Sequence, residues 1–210
     1  MLSYRHGFHA GNAADVFKHA VLLAVLRAMQ SKDEAITCID THAGAGMYDL
    51  QHSYAQKNAE HAGGIAALWH RADTSPLLSD YLTQVRRFNP TGELRYYPGS
   101  PALMQGLLRP HDKLLLCELH PTEQQLLRDH YASERQVALH WTDGYTSLRT
   151  LLPPSTRRAL VHIDPSYELV GEPDSLQRCL RDGLKRFGHG VFLVWYPLLD
   201  DASVLPSTLA

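Results

Sequence analysis

Five short apolar runs, each separated from the next by a stretch of helical periodicity, constrain this chain most. They are "AITCID", "KLLLCE", "QVALHW", "ALVHID" and "GVFLVW". The runs are continuous rather than alternating, which is the pattern of strands covered on both faces. Between them lie "PTEQQLLRDHYAS", "GYTSLRTLL" and "DSLQRCLRDGLKRF", each with apolar residues at helical spacing. Alternation of this kind predicts a doubly wound α/β fold with a mainly parallel sheet. A further helix precedes the first strand. It is "NAADVFKHAVLLAVLRAMQ", with Asn12 as its cap, and Val16, Ala20 and Leu23, and separately Phe17 and Val21, at helical spacing.

Four of the five runs close on an acid: Asp40, Glu118, Asp143 and Asp164. In an open parallel sheet the carboxyl ends of the strands line the ligand crevice, so the four acids are expected on one rim. About 65 residues separate the first two strands, far more than the dozen or so that a crossover needs. A helical insertion is therefore expected at about 47–95, within one domain spanning 1–210. "YYPGSPALMQGLL" then returns toward the sheet, with Ser100 opening a helix and Pro101 at its first turn.

The chain has 210 residues, 44% of them hydrophobic, and a formal net charge of -2. That excludes a generic polyanion binder, so any nucleic-acid contact has to come from a local patch. Cys38, Cys117 and Cys179 are scattered and form no C-x-x-C pair, so no zinc knuckle or disulfide framework is expected. No apolar run reaches membrane-spanning length, and "MLSYRHGFHAGN" is too polar for a signal peptide, so a cytoplasmic protein without a membrane partner is expected. The thirteen histidines include no H-E-x-x-H, and no metal is expected.

The first strand feeds "DTHAGAG", a loop over which a ligand can lie close to the backbone. It is not a dinucleotide fingerprint, because Asp49 stands where the third glycine would be, and no G-K-[ST] follows. Glu118 can accept from vicinal ribose hydroxyls, and Asp143 with Gly144 from a base amine. Three such strand ends suit S-adenosylmethionine at least as well as a nicotinamide cofactor. The fourth, "DPSY", suits a flat amine. Asp164 and the carbonyl of Pro165 can accept its N–H groups and free its lone pair, while Tyr167 stacks on the ring.

These residues bring a family into view. "DPSY" resembles the D/N-P-P-Y motif of amino-methyltransferases. "MLSYRHGFHAGNAADVFKH", "DTHAGAG", "LRYYPGSP", "ELHP" and "IDPSYE" resemble the bacterial large-subunit ribosomal RNA adenine-N6 methyltransferase J family, from Met1 to about Pro197. The resemblance implies a Rossmann-like fold and transfer of methyl from S-adenosyl-L-methionine to an adenine N6 in 23S ribosomal RNA. It implies His19, His42, Ser100, Glu118, Asp143, Gly144 and Asp164 around the cofactor. Asp164 would be the catalytic residue of the D-P-S-Y motif and Tyr4 an RNA contact.

Two departures stand out. Ser166 replaces the second proline of the motif, from which reduced activity is expected. The family continues with a helix and two strands past the point where this chain ends, so a C-terminally shortened form is expected. An oligomer is then expected only if the exposed fifth strand pairs.

The motif does not separate RNA from DNA adenine, and a non-catalytic RNA- or cofactor-binding copy is the remaining alternative. Other features have plain readings. Asp15, Lys18 and His19 read as a solvated helix face, and only the resemblance moves His19 to a cofactor. Tyr4, Arg5, His6, His9 and Lys18 suit phosphates and bases, or form an ordinary basic N-terminus. Arg86–Arg87 and Arg157–Arg158 read as solvated surface, Trp69, Tyr81 and Phe88 as a small core of the insertion, and Trp195 as core.

Overall fold

A computed structural model describes residues 6–167 and 171–196. Tyr4, Arg5 and Glu168 of the quoted motifs lie outside them. Helix α1 (Ala13–Met29) begins at Asn12, whose side chain accepts from the Asp15 N–H at 2.9 Å. It leads into β1 (Thr37–Asp40), every residue of which is buried.

The expected insertion follows. It contains β2 (Met47–Asp49), α2 (Ser53–Asn58), α3 (Ile65–Leu68), α4 (Pro76–Arg86) and β3 (Tyr96–Pro98). Sequence patterning read the insertion as helical at about 47–95 and missed both β2 and β3. In fact the two pair antiparallel as a separate ribbon, at only three residues each too short to show a period. The insertion also has no core of its own. Trp69 and Tyr81 pack in one cluster with Val16, Ala20 and Leu23 of α1, while Phe88 stays half-buried outside it.

Next come α5 (Ser100–Gln105), β4 (Lys113–Cys117), α6 (Pro121–Tyr131), β5 (Val137–His140), α7 (Gly144–Leu151), β6 (Ala159–Ile163), α8 (Glu172–Arg186) and β7 (Val191–Val194). Gly99 caps α5, so Ser100 is its first helical residue and Pro101 its second. The main sheet has the order β5-β4-β1-β6-β7, and every pairing is parallel. The central strands β1 and β6 are buried throughout, whereas the outer β5 and β7 are half-covered. This explains the unbroken apolar runs.

From β1 the chain moves outward through β4 and β5. It then crosses back to β6 and β7 on the other side of β1. Such a reversal leaves a crevice beyond the carboxyl ends of the strands, between β1 and β6. Asp40 and Asp164 stand on its two sides. Among the described residues, no helix is long and apolar enough to cross a membrane.

Candidate active site

A cavity of about 370 Å³ opens at this edge of the sheet. His19, His42, Ser100, Glu118, Asp143, Gly144, Asp164 and Pro165 all line it, so eight of the residues singled out by sequence converge on one space. Tyr167 is adjacent, and Tyr4 lies outside the described residues.

Asp40 departs from the expectation of a rim acid. It is fully buried and shapes the loop from beneath. Its Oδ2 accepts from Ser100 Oγ at 2.6 Å and its Oδ1 from the His42 N–H at 3.3 Å. His162 Nδ1 is 3.5 Å from the same Oδ1, an ion-pair distance rather than a hydrogen bond. Burial would raise the Asp40 pKa, but His162, Ser100 and the His42 N–H outweigh it and hold the carboxyl below its ordinary value. Burial likewise opposes the charge on His162, yet Asp40 raises its pKa. The Ser100 hydroxyl is thus committed as a donor to Asp40. Its part in the site is to tie α5 to the end of β1.

Glu118 follows β4, and its N–H extends the ladder to His140 O at 3.1 Å. Oε2 accepts from the Gly44 N–H at 2.8 Å and Oε1 from the His120 N–H at 2.7 Å, which leaves acceptor capacity on both oxygens toward the cavity. Burial, first among the causes, raises the Glu118 pKa. Asp143 caps α7, accepting from the Tyr145 N–H at 2.9 Å. Gly144 is dictated by proximity: a Cβ there would run into the carbonyl oxygen of Thr41. Thr41 in turn donates from its N–H and from Oγ1 to His162 O, both at 3.1 Å.

The helix α1 face read as solvated is buried. Asp15 is 1% exposed, His19 2% and Lys18 9%. Lys18 Nζ lies 2.5 Å from Asp164 Oδ2 and 3.0 Å from Asp15 Oδ1. Asp15 Oδ2 also accepts from the Gly11 N–H at 2.8 Å and lies 2.9 Å from His6 Nε2. Burial would lower the Lys18 pKa, but the two carboxylates raise it, so the ammonium is fixed. Burial would raise the Asp15 pKa, but His6 and Lys18 hold it well below the usual carboxylate range.

His19 shares a 2.8 Å contact between Nδ1 and Tyr97 Oη. Burial, the leading cause, lowers its pKa to about 3, so the imidazole is neutral near pH 7. Burial lowers that of His42 too. Sequence reasoning missed Lys18 as the partner of Asp164, Asp15 as the partner of Lys18, and the role of His162 beneath the loop. The available signal was two opposite charges three apart on a mostly apolar helix. It also missed Tyr145, whose ring meets His42 edge-on at 4.9 Å on the cavity wall. The Tyr145 hydroxyl is buried without a hydrogen-bond partner among the described residues.

The motif loop itself is strained. Tyr167 has φ 57°, a left-handed conformation costly for a residue with a bulky side chain. It is held there by donating from Oη to Trp195 O at 2.7 Å, and by an edge-on contact with Tyr196 at 5.3 Å. The Trp195 N–H donates to Ile163 O at 2.9 Å. Trp195 is half-buried and outside the core clusters, contrary to its reading as core.

With this geometry the chain can be compared with known proteins. A model of the family described as "RsmJ: Ribosomal RNA large subunit methyltransferase D, RlmJ" matches residues 33–205. The chain belongs to this family. It is 42% identical over 199 residues to "Ribosomal RNA large subunit methyltransferase J" of Escherichia coli (strain K12). The same description is carried by a Haemophilus influenzae relative, 40% identical over 200 residues. Each match covers 95% of this chain and 71% of the relative. A crystal structure of protein LPL1258 from Legionella pneumophila superposes with a TM-score of 0.84 at 38% identity, covering 90% of this chain and 70% of that one. The mainly parallel sheet with flanking helices is therefore a methyltransferase-type α/β fold, shared with this Legionella protein.

Proposed function

We propose that this chain methylates the N6 amine of an adenine in 23S ribosomal RNA, with S-adenosylmethionine as methyl donor. One observation carries the reading. At the switch point of the sheet, the acid of a D-P-S-Y loop meets the cavity in contact with a buried lysine. Relatives named for methylation of large-subunit ribosomal RNA support the choice of substrate.

The donor set suits the cofactor. Glu118 offers acceptors for two ribose hydroxyls, and Asp143 an acceptor for a base amine. The Tyr145 hydroxyl lacks a partner among the described residues and can take one from a nucleoside. His42 and the loop tied down by Asp40 and Ser100 border the space left for the amino-acid end. Bound there, S-adenosylmethionine supplies an electrophilic methyl whose sulfonium departs as a neutral thioether.

The protein's own task is to make a weak nucleophile competent. An adenine amine is weakly nucleophilic because its lone pair is shared with the ring. Lys18 holds Oδ2 of Asp164, which orients the carboxylate so that Oδ1 and the carbonyl of Pro165 can accept the two N–H groups. That arrangement draws the nitrogen toward tetrahedral geometry and aims its lone pair. Tyr167 offers a face to the base, which has to leave its stack to reach the site. The methylated nitrogen is acidic enough to give its surplus proton to water, so no protein base is required.

The test is incubation with methyl-labelled cofactor and matched RNA and DNA. Label recovered as N6-methyladenine in protein-free 23S RNA is the expected result. Label in DNA alone would move the substrate class. Cofactor binding without transfer to any nucleic acid would mark a binding copy, and no calorimetric signal at millimolar cofactor would overturn the reading.

A further inference from the structure

Phe17 is 62% exposed, more than any other large hydrophobic side chain among the described residues. It lies on α1 directly before Lys18. Its ring meets Trp195, at 6.3 Å between centroids and 59° between planes. Lys18 Nζ sits 5.9 Å from the Trp195 ring centroid while contacting Asp164 at 2.5 Å. The indole and the acid of the site therefore share Lys18 as a neighbour. Its backbone is fastened on both sides, to Ile163 O by its N–H and to Tyr167 Oη by its carbonyl.

We infer that Phe17 and Trp195 form a stacking shelf for a nucleobase that flanks the target adenine in the RNA strand. The inference rests on the methyl-transfer reading. A base turned into the cavity arrives on a backbone, so its neighbours have to lie somewhere at the mouth. Lys18 stands between the Trp195 ring and Asp164, and the register of the shelf to the motif loop is set by the Trp195 backbone bonds. Two rings are far too little surface for a protein partner, which needs roughly 800 Å² a side. They match one base, whose flat face gains about 1–3 kcal/mol from an aromatic neighbour. Since every base has such a face, the shelf adds affinity without reading identity. The ammonium of Lys18 against the indole steadies it without reaching solvent.

The test uses Phe17→Ala in the full chain. Phe17 is mostly solvent-exposed, so its removal opens no core cavity. With protein-free 23S RNA transcript, KM should rise about 5-fold or more, as loss of one stack predicts. The cofactor dissociation constant should stay unchanged and kcat should stay within about twofold, as expected of binding shared by ground and transition states. Phe17→Trp should restore KM and Phe17→Leu should not. A KM for Phe17→Ala indistinguishable from that of the unsubstituted chain, or rescue by Leu equal to Trp, would overturn the shelf. Absence of methyl transfer by the unsubstituted chain would instead sink the parent reading. In that case fluorescence anisotropy of a labelled fragment of the same transcript still decides the shelf, by the same order of affinities.

Discussion

Lys18 Nζ and Asp164 Oδ2 are 2.5 Å apart, joining the first helix of the chain to the end of β6 across 146 positions of sequence. The same ammonium holds Asp15, so one cation serves two buried or half-buried carboxylates. Removing it takes the ammonium from Asp164 and leaves Asp15 to His6. Lys18→Met should lower stability by about 3–5 kcal/mol, the usual cost of breaking a buried pair from one side. Denaturant midpoints with an unchanged m-value would report it. Loss of under 1 kcal/mol would mean that the pair is well solvated.

Asp164→Ala should abolish methyl transfer while leaving most cofactor affinity, because the proposed cofactor partners Glu118 and Asp143 follow β4 and β5 rather than β6. Calorimetry and a labelled-methyl assay separate the two effects. Retained turnover would remove Asp164 from the reaction.

The legibility of this chain followed the range of its interactions. β1 and β6 were readable because strands covered on both faces spell continuous apolar runs. Glu118, Asp143 and Asp164 were readable because a strand's end fixes where its next residue lies. Asp40 shared that signal, but one register step places a carboxylate under a loop rather than on the rim. Asp15, Lys18 and His19 were misread because a charged residue on a helix is normally solvated. The long-range partners of Lys18 and His19, Asp164 and Tyr97, arrive from distant parts of the chain. Trp195 looked like core for the same reason: an apolar residue after a strand does not declare whether its ring turns inward.

Glu118 gives a pH prediction. Its pKa is raised by burial, so folding places an unfavourable charge there above the ordinary carboxyl range, and protonation relieves it as pH falls through the raised value. Accepting ribose hydroxyls requires the carboxylate. Cofactor affinity should therefore fall on acidification, beginning at a higher pH than an ordinary glutamate would cause. Glu118→Gln should flatten that dependence and weaken binding by about 1.5–3 kcal/mol. An unchanged dissociation constant across pH would take Glu118 out of the cofactor site.

His19 acts on stability with the opposite chemistry. Its pKa falls from 6.5 to about 3 on folding, so between those values the unfolded chain binds more protons. Stability should then rise with pH across that window, by at most about 1.4 kcal/mol per unit from this group. His19→Gln keeps a partner for Tyr97 but does not titrate. Its stability curve should be flatter than that of the unsubstituted chain from pH 4 to 6, by urea titration. Parallel curves would show that His19 is not the group concerned.

Gly144 tests whether the meeting of β1 and α7 is as tight as the geometry requires. A Cβ at Gly144 meets the Thr41 carbonyl oxygen, which is backbone and cannot swing aside, whereas a Cβ at Gly63 meets nothing within 4 Å. Thr41 is itself tied to His162 by two hydrogen bonds, so it cannot retreat without loosening β1 from β6. Gly144→Ala should consequently displace the start of α7 and carry Asp143 and Tyr145 off the cavity wall. A stability loss of about 1–3 kcal/mol is expected from overpacking. It should come with a cofactor dissociation constant raised at least about tenfold, equivalent to about 1.4 kcal/mol. Gly63→Ala should change neither. Equal behaviour of the two variants in thermal melts and calorimetry would mean that α7 can shift freely, and that the wall it contributes is not a fixed part of the site.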